Sequence, residues 1–298
     1  MHNYINKFSN NAQGAFYNVL ACFFASIMVA IVHHLAKDFH VFFIVMLRNL
    51  FALAFFLPHF FYGKKSIFKT NNLQLHVSRG IIGMSSMFFW FYSVSVLPLA
   101  EATSISFVGP ILTTIVAVLF LKEKAKANVW IAVIIGFAGV MIILRPGFKQ
   151  LQLAHLSNIM AVTLWAVTNC LIKTMTKTEK PQTIVAYMSL VMFIFSIPFG
   201  LFHLQAVDLN AVICFVFLGI FSNLTHMSLS IALSKADLSF VQPFDFTRLI
   251  FTIIIAYFFF SEPLDSWVLI GSAVIFLGII TATSKKESWK KKIEPVIN

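Results

Sequence analysis

Ten stretches of about 20 mostly apolar residues, each closed by a short charged or turn-forming break, leave this chain one medium to fold in. A run of that length makes a helix long enough to cross hydrocarbon, where backbone N–H and C=O groups must be bonded within the segment. The stretches fall near residues 14–36, 41–62, 76–97, 100–121, 127–144, 154–174, 182–203, 209–232, 236–260 and 264–283. The breaks include Lys64-Lys65, Lys122-Glu123-Lys124, Arg145-Pro146-Gly147 and Glu262-Pro263. Only 11% of the 298 residues are charged and 59% are hydrophobic. A soluble domain carries about 25% charged residues, so this chain has too few to cover a globular surface. Its 35 phenylalanines suit a lipid-facing exterior. The sequence reads as an all-α membrane protein of ten transmembrane helices. The first stretch is too long for a signal-peptide core and lacks a small-x-small cleavage site, so it is expected to remain in the mature protein.

Basic residues set the orientation. With the N-terminus inside, sixteen lysines face the cytoplasm: Lys7; Lys64, Lys65 and Lys69; Lys122, Lys124 and Lys126; Lys173, Lys177 and Lys180; Lys235; and Lys285, Lys286, Lys290, Lys291 and Lys292. Only Lys37, Arg145 and Lys149 lie in outer loops. Both termini are therefore expected to be cytoplasmic in an inner-membrane protein. The net charge of +11 is a topology signal, with the basic 285–298 tail near anionic headgroups. Nucleic acid is not an expected partner.

The two halves echo each other. Lys37 and Lys173 close helices 1 and 6 at an offset of 136, Pro58 and Pro198 differ by 140, and Glu123 and Glu262 differ by 139. Five helices is an odd number, so a second copy must enter the membrane from the opposite side. That is an inverted repeat, with halves at 14–144 and 154–284, as in many secondary transporters.

Charge inside a span is costly and marks a pathway or a partner. Helix 9 reads Gln242-Pro243-Phe244-Asp245-Phe246-Thr247-Arg248. Asp245 and Arg248, three apart, share a face and can pair, and Gln242 and Thr252 extend the stripe. Counted from Ala236, the charges lie roughly 13–18 Å into the helix, near the midplane. Pro243 frees a backbone carbonyl and is expected to kink helix 9, as Pro110 kinks helix 4. Arg48 sits about 10 Å into helix 2, too deep to snorkel easily, whereas Arg79 near the start of helix 3 is expected to snorkel. Asn223, His226 and Ser230 form a stripe on helix 8, and Ser26 and His33 one on helix 1. Such residues bond across helices or bind ligand. Trp90 and Trp165 can wall a cavity. Candidate substrate-binding residues are thus Asp245, Arg248, Gln242, Arg48, His226, Asn223 and Trp90.

Cys22, Cys170 and Cys214 lie in apolar stretches without C-x-x-C spacing, so no metal or redox site is expected. An intramembrane hydrolase would need a motif such as G-x-S-G or H-E-x-x-H. Gly83-Met84-Ser85 continues to Ser86, and no H-E-x-x-H occurs. A transporter is therefore preferred to an enzyme, a channel or a scaffold. Arg48 and Arg248 against Asp245 leave the interior positive, which suits a carboxylate, phosphate or zwitterionic substrate. Asp245 can alternatively hold an ammonium or sulfonium group, or a coupling proton.

Two stretches, Leu97-Pro98-Leu99-Ala100-Glu101-Ala102-Thr103 running through Pro110 to Glu123, and Pro243 through Leu249 running to Glu262, resemble helices 4 and 9 of the drug/metabolite transporter superfamily in its form with two EamA-type repeats. The resemblance spans roughly residues 15–284. Members usually carry glycine before the glutamate that ends each of these helices, where this chain has Lys122 and Ser261. The resemblance implies ten helices around a central cavity, alternating access, a small-molecule substrate and no cofactor. It leaves homodimer formation open. Relatives with this helix-9 pattern look like uptake carriers for S-adenosylmethionine.

Overall fold

A computed structural model describes residues 9–56, 58, 65–97, 105–144, 152–260 and 266–283. Within them the chain is helical throughout, apart from short connections. The helices are α1 (Asn10–Leu35), α2 (Val41–Ala54), α3 (Leu73–Val96), α4 (Gly109–Phe120), α5 (Ala127–Leu144), α6 (Leu153–Met175), α7 (Pro181–Leu201) and α8 (Leu209–Lys235). The ninth rod is broken: α9a (Leu238–Val241), a 3-10 stretch (Gln242–Phe246) and α9b (Thr247–Phe260). α10 (Ser266–Thr283) completes the bundle. The basic tail, the outer-loop Arg145 and Lys149, and the Pro98–Ser104 approach to α4 lie outside the described residues.

The rods start and stop for local reasons. The Ser9 hydroxyl accepts from Ala12 N at the head of α1, the Asp208 carboxylate accepts from Ala211 N at the head of α8, and Pro181 opens α7 where its missing N–H costs nothing. Lys122 ends α4 with φ 55°, the left-handed conformation that favours glycine. The Glu123 N–H then reaches back to the Ala117 carbonyl. Among the described residues, five rods are long and apolar enough to cross a membrane: α1, α6, α7, α8 and Leu238–Phe259. Large apolar side chains such as Phe120, Phe258 and Leu269 face outward, while Arg48, Arg79, Asn158 and Asn169 are buried. A water-soluble protein arranges these the other way round.

Packing is reciprocal between the halves. α1 packs on α8 and α9b, as α6 packs on α3 and α4; α8 meets α2 as α3 meets α7; α2 meets α7, and α5 meets α10. An added Cβ at Gly80 would run into Val191, and one at Gly219 into Ala52 and Phe51. Both residues of each pair differ by 139 from their counterparts. The same offset relates the Gly139 and Gly271 contact to that of Gly278 and Ala132. Phe107 and Phe246, also 139 apart, stack on each other at 6.1 Å and 26°, as equivalent residues do where a pseudo-two-fold axis passes. The working register is 139, that of the glutamates, so Pro110 and Pro243 are not counterparts.

Candidate functional site

The break in α9 supplies the first polar cluster. Pro243 has no N–H to donate, and the chain answers by tightening into a 3-10 stretch over Gln242–Phe246. In such a stretch residues three apart eclipse, which puts Gln242 and Asp245 on one edge. Asp245 Oδ1 accepts from Asn18 Nδ2 at 2.7 Å, and Cys22 Sγ lies 3.8 Å from the same oxygen. Asn18 Nδ2 also donates to the Val241 carbonyl at 3.2 Å. Buried Asn18 Oδ1 and Gln242 Oε1 have no hydrogen-bond partner. This end of the interior therefore presents oxygen acceptors.

Arg248 does not close an ion pair on Asp245 at contact distance. Its guanidinium lies over the Phe107 ring, 5.5 Å from the centroid, a cation–π placement. The Arg248 carbonyl lies 3.0 Å from the Ser26 hydroxyl and 2.9 Å from that of Thr252, tying α9b to α1. Pro110 stands in the first turn of α4 rather than in a helix interior. The proline that interrupts a rod is Pro243.

A second cluster gathers nitrogen. Arg48 on α2, Arg79 on α3 and His226 on α8 are each at least nine-tenths buried, and their three rods meet in the apolar cluster that holds Val45, Met84 and Met227. Arg48 Nη2 donates to Asn49 Oδ1 at 3.0 Å. The Nε atoms of both arginines and Nδ1 of His226 have no partner. Trp165 stands edge-on to His226 at 6.1 Å. Arg79, expected to snorkel, is 2% exposed, on a rod packed against both α6 and α7. A short helix position is no guide to depth once neighbours cover it.

Two other candidates spend their polar groups on packing. Trp90 Nε1 donates to the Ser106 hydroxyl at 3.2 Å, which in turn lies 3.1 Å from Asn158 Oδ1. Asn223 Nδ2 donates to the Ala52 carbonyl, and Ser189 donates to Asn223 Oδ1. Sequence reasoning passed over Asn18, although it mirrors Asn158 at an offset of 140. Each asparagine meets the broken or late-starting rod of the other half, at Asp245 and Ser106. It also treated Glu123 only as a boundary. Glu123 Oε1 accepts from Leu238 N at 2.9 Å, and Oε2 accepts from Ser239 N and Oγ at 2.9 and 2.7 Å, clamping α4 to the head of α9a. Cavities of about 420 Å³ beside Asp38 and Asp208 and about 450 Å³ beside Tyr92 and Met160 lie away from both clusters.

Known proteins with related sequences are transporters. The chain is 29% identical to an S-adenosylmethionine uptake transporter of Rickettsia bellii, over 87% of this chain and 90% of that one. It is 26% identical to the protein of that name in Rickettsia prowazekii, over 96% and 99%. A riboflavin transporter of Vibrio cholerae is 25% identical over 84% and 85%. A solved crystal structure superposes with TM-score 0.77 over 92% of this chain and 96% of that one, at 15% identity, which speaks for the fold alone. One family model, the EamA-like transporter family, matches twice, at residues 12–145 and 152–284. Two consecutive matches over nearly the whole chain agree with the reciprocal packing of its two halves: the chain belongs to the EamA-like transporter family.

Proposed function

We propose that this protein is a secondary transporter that carries a small zwitterionic metabolite of the S-adenosylmethionine type across the inner membrane by alternating access. The observation that carries this reading is the broken ninth rod. Transport sites are built where a spanning helix is interrupted and its polar groups turn inward. Here the interruption sets Asp245 against Asn18 and leaves Gln242 Oε1 and Asn18 Oδ1 buried without partners. Such a set of acceptors suits an ammonium or sulfonium group. The names of the Rickettsia relatives support the same substrate type. The lysine distribution supports cytoplasmic N- and C-termini.

The test is uptake of labelled S-adenosylmethionine into proteoliposomes holding the full chain. Saturable uptake, competed by unlabelled substrate, is expected. Asp245→Asn is expected to lower it at least tenfold, and Arg248→Gln to lower it less. Unchanged kinetics in both variants would remove α9 from the substrate site. Uptake that rises linearly without saturation would point to a channel.

A further inference from the structure

We propose that Arg48, Arg79 and His226 form the anion-binding end of the substrate site and take the substrate's carboxylate. The inference rests on the transport reading above and names the group that this second cluster recognises.

The first argument is electrostatic. A guanidinium taken out of water costs several kcal/mol unless a counter-charge and hydrogen bonds replace its hydration. Structural buried arginines have carboxylate partners for that reason. Among the described residues, no carboxylate stands at ion-pair distance from Arg48 or Arg79; Glu179 Oε1 lies 3.9 Å from His76 Nε2 instead. Arg48 has the Asn49 amide, and the Nε of each arginine is left open. Three rods that share the cluster of Val45, Met84 and Met227 thus each carry a buried nitrogen without a partner, on Arg48, Arg79 and His226. A guanidinium fork matches an oxyanion in two-point geometry, which a lysine would not.

The second argument comes from the repeat. Packing needs recur in both halves, and the chain answers them twice, with Gly80 against Val191 and Gly219 against Ala52. At the same offset of 139, the counterparts of Arg48, Arg79 and His226 are Tyr187, Leu218 and Met87. The cations are present once. A lopsided ligand makes demands of that kind, and a symmetric scaffold does not.

A zwitterion fits the interior better than a bare phosphate. Acceptors gather separately around Asp245 on α1 and the broken rod, while donors gather on α2, α3 and α8. A molecule that satisfies both ends carries a cation and an anion, as an amino-acid head group does.

The experiment compares S-adenosylmethionine with its decarboxylated form, which differs only in the carboxylate, by calorimetric binding to the purified full chain. Wild-type protein is expected to bind the carboxylate form at least about tenfold more tightly, the scale of one charge-assisted hydrogen-bonded contact. Arg48→Gln and Arg79→Gln are expected to bring the two ligands within about twofold, chiefly by weakening the carboxylate form. The exposed-site variant Lys69→Gln should keep the wild-type preference. A structural arginine would reveal itself differently, because its loss would lower the melting temperature of the unliganded protein. Removing an unpaired buried charge should leave that temperature level or raise it. Arg79→Lys, which keeps the charge and loses the fork, is expected to bind with intermediate preference and covers the case of a glutamine variant that does not fold. Undiminished preference in the arginine variants, or equal binding of both ligands by wild type, overturns the proposal. If wild type binds neither, the S-adenosylmethionine reading fails, and methionine, glutamate and inorganic phosphate become the probes in thermal shift. Arginine-dependent stabilisation by an amino acid then still supports the carboxylate end. Stabilisation by phosphate alone, or by none, overturns it.

Discussion

Removing the Asn18 amide tests whether the broken rod is held open by a single cross-helix contact. Asn18→Ala deletes a 2.7 Å bond to the Asp245 carboxylate and a 3.2 Å bond to the Val241 carbonyl. In a soluble protein these would be worth about 1.5–3 and about 0.5–1.5 kcal/mol. Between transmembrane helices such bonds average only about 0.6 kcal/mol, because helices separated in the bilayer find other partners. The Asp245 contact exceeds that average on two counts: it is charge-assisted, and it lies in a rod that has already lost its regular ladder. We expect Asn18→Ala to cost about 2 kcal/mol, and its coupling with Asp245→Ala to be about 1–1.5 kcal/mol. The assay is reversible denaturation in mixed micelles of wild type, both single variants and the double variant. The mirrored Ser106 and Asn158 pair, 3.1 Å apart and uncharged, provides an internal scale and should couple about half as strongly. A coupling below about 0.5 kcal/mol for Asn18 and Asp245, or one no larger than the mirrored pair's, refutes the reasoning.

Four further outcomes follow from other contacts. Lys122→Gly relieves a side chain held at φ 55° and should stabilise the fold by about 1 kcal/mol in the same denaturation. Glu123→Ala strips two backbone N–H groups and the Ser239 hydroxyl of their acceptor. It should cost about 2 kcal/mol, with Glu123→Gln costing less. Gly139→Leu forces a side chain against the Gly271 carbonyl and Ile275, and should separate α5 from α10 at a cost of about 1–3 kcal/mol or more. His40 stacks on His203 at 3.6 Å, and burial, then the His203 charge, hold its pKa below the ordinary 6.5. A lowered value means that the folded state binds fewer protons than the unfolded one. Stability is therefore whole above about pH 6.5 and falls as pH drops toward the lowered value. His203→Ala should flatten that fall, and a melting curve whose pH slope is unchanged in the variant removes this contact as its source.

The spans were legible because each is a local property. A run of apolar residues with a charged break at each end is helical in a bilayer whatever its neighbours do. That Asp245, Arg48 and His226 are polar groups inside spans was legible on the same ground, and such groups need a reason. Their partners were not. Arg248 stands three residues from Asp245, and proximity along a helix suggests an ion pair, yet Asn18 takes the carboxylate from the far end of the chain. Arg79 sits near a helix end and is still only 2% exposed, because tertiary packing covers it. Trp90 and Asn223 likewise have partners that no local pattern announces, the Ser106 hydroxyl and the Ala52 carbonyl. The offset between the halves was the one long-range signal available, and the scatter among 133, 136, 139 and 140 hid it. Contacts that recur in both halves single out 139.

The sequence by itself determined that this chain lives in a membrane as ten helices in two related halves, because apolar length and charge placement act within each segment. Only the tertiary structure decided that α9 breaks at Pro243, that α4 begins at the level of Pro110, and that Asn18 meets Asp245 while Arg48, Arg79 and His226 keep buried nitrogens without partners. The reason is physical: a hydrogen bond or a buried charge is settled by which rods meet, and the residues that meet lie as far apart along the chain as Ser106 and Asn158, 52 residues, or Asn18 and Asp245, 227 residues.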